Sequence, residues 1–182
     1  MKFKHPLMQN NITKKDFDIV IKFLKNEPIL TQNKKVEKFE KLWSKWLGVK
    51  YSVCVNSGSS ANFITISALK QFTKKKEIIT PTLTWPSDIM AVINNNFKPK
   101  FVDINIKTLS MNSQDVIKNL TSKTAAVFIT HAQGFNGLDK TLLNELKRKK
   151  IILIEDVCES HGAKFNGKKL GTFGLASNFS FY

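Results

Sequence analysis

A short apolar run ending in two acidic residues, Ile151–Asp156 in the segment IILIEDVCESHG, narrows the possible folds of this chain most sharply. Continuous apolar runs bounded by turn residues are typical of strands buried in a parallel sheet with helices on both faces. Ligands of open α/β sheets bind beyond the carboxyl ends of the strands, so Asp156 is predicted at a ligand-binding edge. Glu155 and Asp156 are also consistent with simple caps of the next turn or helix, and this segment alone leaves both interpretations open.

The rest of the chain alternates between helix and strand patterns. The predicted elements are helices from Thr13 to about Lys25 and about Lys34 to Leu47, strand Tyr51–Val55, a helix from the Ser57 turn to about Phe72, strand Glu77–Thr80, helix about Ser87–Asn95, strand Lys100–Asp103, helix about Ser113–Leu120, strand Ala125–Thr130, helix Leu138–Lys149 and strand Ile151–Glu155. Such alternation implies parallel strands joined by right-handed crossovers. We therefore predict a three-layer α/β domain with a mostly parallel sheet and helices on both faces.

The two ends of the chain indicate its cellular location and its relation to a longer protein. The start, MKFKHPLMQN, lacks the apolar centre of a signal peptide, and no apolar run approaches the ~18 residues that span a bilayer, so we predict a cytoplasmic protein without membrane contact. At the other end, Asn178–Tyr182 has the pattern of a strand and stops without a polar tail. We therefore expect the chain to be the N-terminal part of a longer protein.

The net charge of +15 suggests nucleic-acid binding, because clustered Lys and Arg displace counterions from phosphates. The excess is nearly all Lys spread along the chain, with Arg148 as the sole arginine, and aromatic residues are not interleaved with it. We therefore predict no nucleic-acid partner, although a basic field suits an anionic substrate such as a nucleotide sugar. Cys54 and Cys158 fit no metal-ligand spacing, so we predict buried free thiols and no metal site.

Two segments besides Asp156 are candidates for ligand binding at the sheet edge. Ser59 and Ser60 begin a helix after a predicted strand, where free N–H groups and the helix dipole favour a phosphate, although Ser at a helix start is also an ordinary N-cap. Trp85 follows the strand that ends at Thr80. Its indole either stacks on a flat heteroaromatic ring at that edge or packs in the core.

A third segment, His131–Gly134, follows the strand that ends at Thr130 and offers polar groups at the same edge. His131 alone is more typical of a hydrogen-bonded structural residue than of a catalyst. Taken together, the strand ends offer a phosphate cradle, a stacking ring, polar groups and the Asp156 carboxylate. Pyridoxal phosphate requires such a set, because N–H donors bind its phosphate, an aromatic ring covers its pyridine and an anion keeps the pyridine nitrogen protonated.

Four motifs resemble those of the DegT/DnrJ/StrS sugar aminotransferase family, whose members are fold type I pyridoxal-phosphate enzymes. The motifs are NSGSSAN at 56–62, TPTLTWPSDIMAVINNN at 80–96, PKFVDINIKTLSMN at 99–112 and IEDVCESHGAKFNGKKLGTFG at 154–174. The resemblance implies an incomplete large domain at residues 51–182, an N-terminal helical segment at residues 1–50 packed on it, and a C-terminal small domain that this chain lacks. It also implies a homodimer, in which an isolated piece of this length is expected to be inactive and poorly soluble.

The resemblance also implies a role for individual residues. Ser59, Ser60 and Ser180 match the family positions that bind the cofactor phosphate, Trp85 matches the residue that stacks on the pyridine ring, and Asp156 matches the partner of the pyridine nitrogen. The catalytic Lys or His of the family is expected just after Tyr182.

Glu159 departs from the family pattern, which often has Gln or His at this position near the cofactor's 3′-oxygen, and it is retained as a candidate cofactor-binding residue. The segment EDVCESHGAKFNGKKLGTFGL is more similar to the 4-keto-6-deoxymannose 3-dehydratase branch, in which His replaces the catalytic Lys. In that branch the cofactor, pyridoxamine phosphate after reaction with glutamate, removes a 3-hydroxyl from a nucleotide-linked keto sugar. The other branch transfers an amino group to the sugar.

The resemblance therefore implies an enzyme acting on a nucleotide-linked 4-keto-6-deoxy sugar in deoxy-sugar, amino-sugar and surface-polysaccharide synthesis, with dehydration slightly preferred over transamination. Two alternatives stay open. One is a non-catalytic regulatory protein of the same fold, which would keep Asp156 and Ser59 but lack a reactive Lys or His. The other is a Rossmann-type nucleotide-binding protein, which the absence of a Gly-rich fingerprint disfavours.

Overall fold

A five-stranded parallel sheet forms the centre of the fold in the computed structural model, which describes residues 10–181. Its strands are β1 (Glu77–Pro81), β2 (Lys98–Val102), β5 (Thr124–Thr130), β6 (Ile152–Asp156) and β9 (Ala176–Asn178), in the spatial order β2-β1-β5-β6-β9. Two short antiparallel pairs lie outside it, β3 (Ile104–Asn105) with β4 (Ser110–Met111) and β7 (Lys164–Phe165) with β8 (Lys168–Lys169). The predicted α/β class and parallel sheet are confirmed.

Six α-helices accompany the strands among the described residues. They are α1 (Lys14–Leu24), α2 (Lys34–Leu47), α3 (Gly58–Leu69), α4 (Pro86–Asn94), α5 (Ser113–Asn119) and α6 (Lys140–Lys149), and a single 3₁₀ turn lies at Ala132–Gly134. Their starts follow local capping chemistry. The Asp139 side chain, for example, accepts a hydrogen bond from the Leu142 N–H at 2.7 Å, which begins α6 two residues after the predicted Leu138.

Alternate residues of each central strand point to opposite faces of the sheet and enter two separate hydrophobic clusters. Ile78, Phe128 and Ile154 pack with Ile66 of α3 and Val92 of α4. Their strand neighbours enter the other cluster with α5 and α6, which contains Ile79, Val127, Leu153, Val116, Leu142 and Leu146. Helices therefore cover both faces, and the predicted three layers are confirmed.

Some predicted elements differ from the structure. The predicted strand Tyr51–Val55 is wrong, because the segment pairs with no strand within the described part of the chain and the Cys54 N–H donates to the Glu40 carboxylate at 2.7 Å instead. Helix α3 ends at Leu69 rather than at about Phe72. The last strand covers Ala176–Asn178, so it lies closer to the N-terminus than the predicted strand Asn178–Tyr182, of which Tyr182 lies outside the described residues.

The thiol prediction also needs correction, because Cys54 and Cys158, which form no disulfide within residues 10–181, are half-buried rather than buried. Cys158 follows β6 and lies beside the helix start of α3, at the rim of the sheet rather than within its core. The apolar residues next to each cysteine in the sequence therefore led to a prediction of deeper thiol burial than the structure has.

The chain divides into two units between Phe39 and Glu40. In the first unit α1 begins with the predicted capping box, in which the Thr13 hydroxyl and the Asp16 carboxylate bond each other's backbone N–H groups. The apolar face of α1 is exposed, with Phe17 at 55% and Val20 at 54%. The packing of residues 1–50 on the large domain stays a prediction, and its residues 1–9 lie outside the described part of the chain. Within residues 10–181, every helix is too short or too polar to cross a membrane.

Candidate active site

The strand order places a topological switch point between β1 and β5. The chain passes from β1 to β2 on one side and then crosses to β5 on the other, so the loops after β1 and β5 separate at the carboxyl edge. Crevices of this kind are where open α/β sheets bind their ligands. The loop after β1 carries Thr84 and Trp85, and the strand β5 ends at Thr130.

A row of polar residues crosses the sheet at this edge. Thr130 of β5 lies beside Asp156 of β6, which lies beside Asn178 of β9 in the ladder register. All three follow the alternation that points Phe128 and Ile154 towards α3 and α4. Asp156 is only 4% exposed, and its Oδ1 accepts a hydrogen bond from the Cys158 N–H at 2.8 Å.

Side chains from α3 and α4 form hydrogen bonds with residues of this row on the face of the sheet that these helices cover. The Asn178 amide donates to Asn62 Oδ1 at 2.8 Å, and the Asn62 amide donates to Asp88 Oδ1 at 2.5 Å. Asp88 Oδ2 also accepts from the hydroxyls of Thr84 and Thr130. One hydrogen-bonded network therefore links α3, α4, β5 and β9 beside Asp156.

Asp88 is only 1% exposed, so its carboxyl group is shielded from solvent. Burial first, and the negative charge of Asp156 second, raise the pKa of Asp88 to about 8.

The start of α3 is the position at which the sequence predicts an anion site. The Ser57 hydroxyl accepts from the Ser60 N–H at 3.1 Å, so part of the predicted N-cap role falls to Ser57. Gly58, the first residue of α3, lies directly against Ser180, because a Cβ at Gly58 would lie 2.9 Å from the Ser180 Cβ. The structure thus brings the predicted residues Ser59, Ser60 and Ser180 together at one helix N-terminus.

Trp85 is the N-cap residue of α4, and Pro86 follows as its first helical residue. Its side chain is 68% exposed, so the alternative of a packed core tryptophan is wrong. An exposed indole at the switch point is free to cover a planar ligand.

Glu159 is exposed, and its carboxylate accepts from the Gln133 N–H at 2.8 Å and from the Gln133 amide at 3.4 Å. These bonds hold Gln133 at a φ of 55°, in the left-handed region that favours glycine. Ser160 fixes the same turn, since its hydroxyl accepts from the Gly134 N–H at 3.1 Å. The structure therefore places Glu159 in the turn after β5, and its predicted contact with a cofactor stays a prediction.

His131 lies on the opposite face of the sheet and does not join the site. Its Nδ1 accepts from the Gly137 N–H at 3.1 Å, so its Nε2 carries the hydrogen and donates to Glu155 at 3.2 Å. Glu155 also accepts three backbone N–H groups of the loop 171–174, each at 2.8 Å. Burial alone would raise the pKa of Glu155, but the hydrogen bonds from His131 and the loop lower it below its usual value. The structural interpretation of His131 is confirmed.

Sequence reasoning missed Asn62, Asp88, Thr130 and Asn178 as members of the site. Two signals were available. Asp88 is an acidic residue in a largely apolar helix next to Trp85, and Thr130 ends an apolar run as Asp156 does. The sheet register that aligns these residues could not be read from the chain itself.

Comparison with known proteins identifies the family to which the chain is similar. A family model described as the DegT/DnrJ/EryC1/StrS aminotransferase family matches residues 10–182. The chain is 33% identical to the GDP-4-keto-6-deoxy-D-mannose 3-dehydratase of Yersinia pseudotuberculosis over 96% of its own length and 46% of that protein. It is 30% identical to the GDP-perosamine synthase of Escherichia coli O157:H7 over 97% of its own length and 48% of that protein.

Solved structures agree with these similarities. The E. coli GDP-4-keto-6-deoxy-D-mannose 3-dehydratase with bound hydrated PLP superposes with a TM-score of 0.90 and 33% identity, covering 98% of this chain and 47% of that chain. A GDP-4-keto-6-deoxymannose 3-dehydratase variant with bound GDP-perosamine gives a TM-score of 0.91 at 34% identity and the same coverage. The chain therefore spans about half the length of the relatives that it matches.

Proposed function

Because the chain belongs to the DegT/DnrJ/EryC1/StrS aminotransferase family, we propose that the protein binds pyridoxal phosphate at the carboxyl edge of its sheet and acts on a nucleotide-linked 4-keto-6-deoxy sugar. The observation that carries this proposal is the buried Asp156 at the end of β6, in the same sheet edge as the α3 N-terminus and Ser180. A carboxylate and an anion site at one edge suit a ligand with a basic ring nitrogen and a phosphate.

The residues present fit this cofactor. A methyl group at Gly58 would collide with Ser180, so only a residue without a side chain allows the helix start and Ser180 to approach one another. Their close approach is suited to a small anion bound by both backbone N–H groups and hydroxyls. The relatives whose structures contain bound PLP support this assignment.

Each residue has a distinct task in this proposal. Asp156 holds a proton on the ring nitrogen by its negative charge, Trp85 covers the ring and excludes water from its outer face, and Ser59, Ser60 and Ser180 orient the phosphate. The Cys158 N–H keeps one Asp156 oxygen directed along the sheet edge at 2.8 Å. When bound, pyridoxal phosphate supplies an electron sink for carbanion chemistry.

For the reaction we infer the 3-dehydration of the sugar in preference to its transamination, with glutamate as the amino donor. The support is the similarity to two 3-dehydratases, at 33% and 37% identity, together with Glu159 in place of the usual Gln or His. The catalytic Lys or His is proposed to follow Tyr182. We also propose that the protein is a homodimer located in the cytoplasm, as the resemblance to the family implies.

Cofactor titration tests the binding site. The full-length product of the gene, stripped of cofactor, is titrated with pyridoxal phosphate while absorbance is followed. Asp156→Ala is expected to weaken binding at least about tenfold, since loss of a paired charge removes more than about 1.4 kcal/mol. Asp18→Ala, which removes an exposed carboxylate of α1, is the matched control and should bind as the wild type does. Equal affinity of the Asp156→Ala variant and the wild type would sink the assignment.

Product analysis separates the two reactions. With glutamate and GDP-4-keto-6-deoxymannose, a dehydratase releases 2-oxoglutarate and ammonia and leaves a 3-deoxy sugar, because oxidation of glutamate supplies the two electrons that replace C–OH by C–H. A transaminase instead leaves a stable 4-amino sugar and no free ammonia. The second outcome would overturn the preference for dehydration while leaving the cofactor site intact.

A further inference from the structure

Three side-chain oxygens at the carboxyl edge of the sheet contact one another pairwise. They are Asp88 Oδ2 of α4, Thr84 Oγ1 of the loop before α4 and Thr130 Oγ1 at the end of β5, and we call them the Thr84–Asp88–Thr130 triangle. The two hydroxyl oxygens are 2.6 Å apart, and the Thr130 hydroxyl lies 3.2 Å from Asp88 Oδ2, which the Thr84 hydroxyl also contacts. Asp88 and Thr130 are only 1% and 8% exposed, so these contacts are made away from solvent.

Hydrogen counting shows what the triangle needs. Three hydrogen bonds among three oxygens require three hydrogens, and the two threonine hydroxyls supply two. With an ionised Asp88, one of the three contacts would bring two oxygens together without a hydrogen between them. A hydrogen on Asp88 Oδ2 supplies the third, so that each of the three groups donates once and accepts once.

The other oxygen of Asp88 is already committed as an acceptor. The Thr65 hydroxyl donates to Asn178 Oδ1 at 2.7 Å, and the Asn178 amide donates to Asn62 Oδ1 at 2.8 Å. The Asn62 amide in turn donates to Asp88 Oδ1 at 2.5 Å. Because this chain of donors runs towards Asp88, its Oδ1 only accepts, and Oδ2 is the oxygen that carries the hydrogen.

The charges around Asp88 favour the same neutral state. Its donors are an amide and hydroxyls, and among the described residues no Lys, Arg or His side chain forms an ion pair with it. His131, next to Thr130, is bonded on the opposite face of the sheet. The negative charge of Asp156 adds to burial in opposing ionisation of Asp88, and the Cys158 thiol stays neutral because burial first and the charge of Asp156 second raise its pKa.

We propose that Asp88 is a positioning residue whose neutral carboxyl group donates a hydrogen bond within the Thr84–Asp88–Thr130 triangle and so joins the start of α4 to the end of β5. Trp85 directly follows Thr84 and is the N-cap residue of α4, but its side chain makes no capping hydrogen bond. The triangle therefore fixes the turn that carries the exposed indole.

The two parts of this proposal can be tested apart. The effect on the cofactor rests on the proposed function, because it assumes that Trp85 covers the pyridine ring. The protonation of Asp88 does not, because it belongs to the cofactor-free protein.

Infrared difference spectroscopy of the cofactor-free, full-length protein tests the hydrogen directly. The spectrum of the wild type minus that of Asp88→Asn at neutral pH is expected to show the C=O stretch of a protonated carboxyl group. Asp18→Asn, in an exposed helix, is the matched control and should show only the loss of a carboxylate. A protonated-carboxyl band that persists in Asp88→Asn, or the absence of such a band from the wild type, would overturn the proposal.

A pH series of urea unfolding gives a second readout that a merely structural Asp88 would not change. The folded-state pKa of about 8 lies above the ordinary 3.8, so the folded protein binds the proton more tightly and loses stability as pH rises between these values. The urea midpoint of the wild type should therefore fall between about pH 6 and about pH 8 more than that of Asp88→Asn, whose amide cannot ionise. Equal pH dependence in the two proteins would contradict a neutral Asp88.

Cofactor titration tests the positioning role by conservative rescue. Because the Asn62 amide fixes the oxygen side of the group, Asp88→Asn directs an NH₂ group at the two threonines and again supplies a donor. It is expected to bind pyridoxal phosphate within about threefold of the wild type, whereas Asp88→Leu should lose at least about fivefold, the ratio that corresponds to one net hydrogen bond. Equal affinity of the Asn and Leu variants would refute the positioning role.

The link to the Trp85 turn has its own variant and control. Thr84→Val removes one hydroxyl of the triangle and should weaken pyridoxal-phosphate binding by about the same factor as Asp88→Leu. Thr82→Val, at an exposed position of the same loop, should bind as the wild type does. Wild-type affinity of Thr84→Val would show that the triangle does not position the turn. If Asp156→Ala also binds as the wild type does, the proposed function fails, while the infrared result still decides the protonation of Asp88.

Discussion

Replacing Glu155 by Gln tests whether the buried carboxylate of β6 anchors the loop that leads to β9. Glu155 is fully buried, and each of its oxygens accepts two hydrogen bonds. Oε1 accepts from Phe173 and Gly174 at 2.8 Å, and Oε2 accepts from Gly171 at 2.8 Å and from His131 at 3.2 Å. A glutamine has only one acceptor oxygen, so either orientation of its amide leaves two of the four donors facing an NH₂ group.

The expected loss follows from those two unpaired donors. A buried polar group without a partner costs about 1–3 kcal/mol, and disruption of a buried charged network costs about 3–5 kcal/mol, so we expect Glu155→Gln to lower the unfolding free energy by about 3–5 kcal/mol at neutral pH. A switch of the His131 tautomer offers no escape, because Nδ1 already accepts from the Gly137 N–H at 3.1 Å.

The pH dependence has a defined sign. The folded-state pKa of Glu155 lies below its ordinary value of 4.5, so its contribution is fully present above that value and disappears as pH falls through the folded-state pKa. The difference between wild type and variant should therefore be constant near neutrality and shrink in acid.

Urea unfolding followed by far-UV circular dichroism measures the loss, and amide hydrogen exchange at Gly171 and Gly174 locates it. Glu145→Gln is the matched control, because the half-buried Glu145 of α6 pairs with the side chains of Arg148 at 2.6 Å and Lys149 at 3.3 Å rather than with buried backbone N–H groups. Its urea midpoint should hardly change. A loss below about 1 kcal/mol for Glu155→Gln, or equal changes in both variants, would refute the reasoning.

Three further substitutions probe the site and its support. Thr80→Val should raise the unfolding free energy, measured by thermal unfolding, by about 1 kcal/mol. The reason is that the fully buried Thr80 hydroxyl has no hydrogen-bond partner among the described residues. A loss of stability would contradict this prediction. Trp85→Ala should change the unfolding free energy by no more than about 0.5 kcal/mol, since the side chain is 68% exposed. It should weaken pyridoxal-phosphate binding, measured by absorbance titration, by up to about tenfold. Unchanged binding would show that Trp85 does not stack on the cofactor. Gly58→Ala should destabilise the protein by about 1–3 kcal/mol, because the new Cβ would lie 2.9 Å from that of Ser180. Adding Ser180→Gly should restore most of the lost stability. Failure of this rescue would show that the contact with Ser180 is not the cause of the loss.

The amino-acid sequence by itself determined the class of fold and most of the helices and central strands. Apolar periodicity reports which side of a helix or strand is buried, and this local signal predicted the parallel strand β6 and the helices α1 and α2 close to their observed bounds. It also placed Asp156 and Ser59 at strand and helix ends. It failed at Tyr51–Val55, because an extended apolar segment becomes a strand only if a neighbouring strand accepts its hydrogen bonds.

Only the tertiary structure decided which polar residues share the site. Asp88 and Asp156 are separated by most of a domain in the chain, yet the strand order brings the ends of β1, β5 and β6 to one edge. Sheet register then placed Thr130 beside Asp156, and strand alternation sent His131 to the opposite face. A pKa depends on burial and on neighbours in space, so the raised pKa of Asp88 follows from that packing and not from the order of residues along the chain.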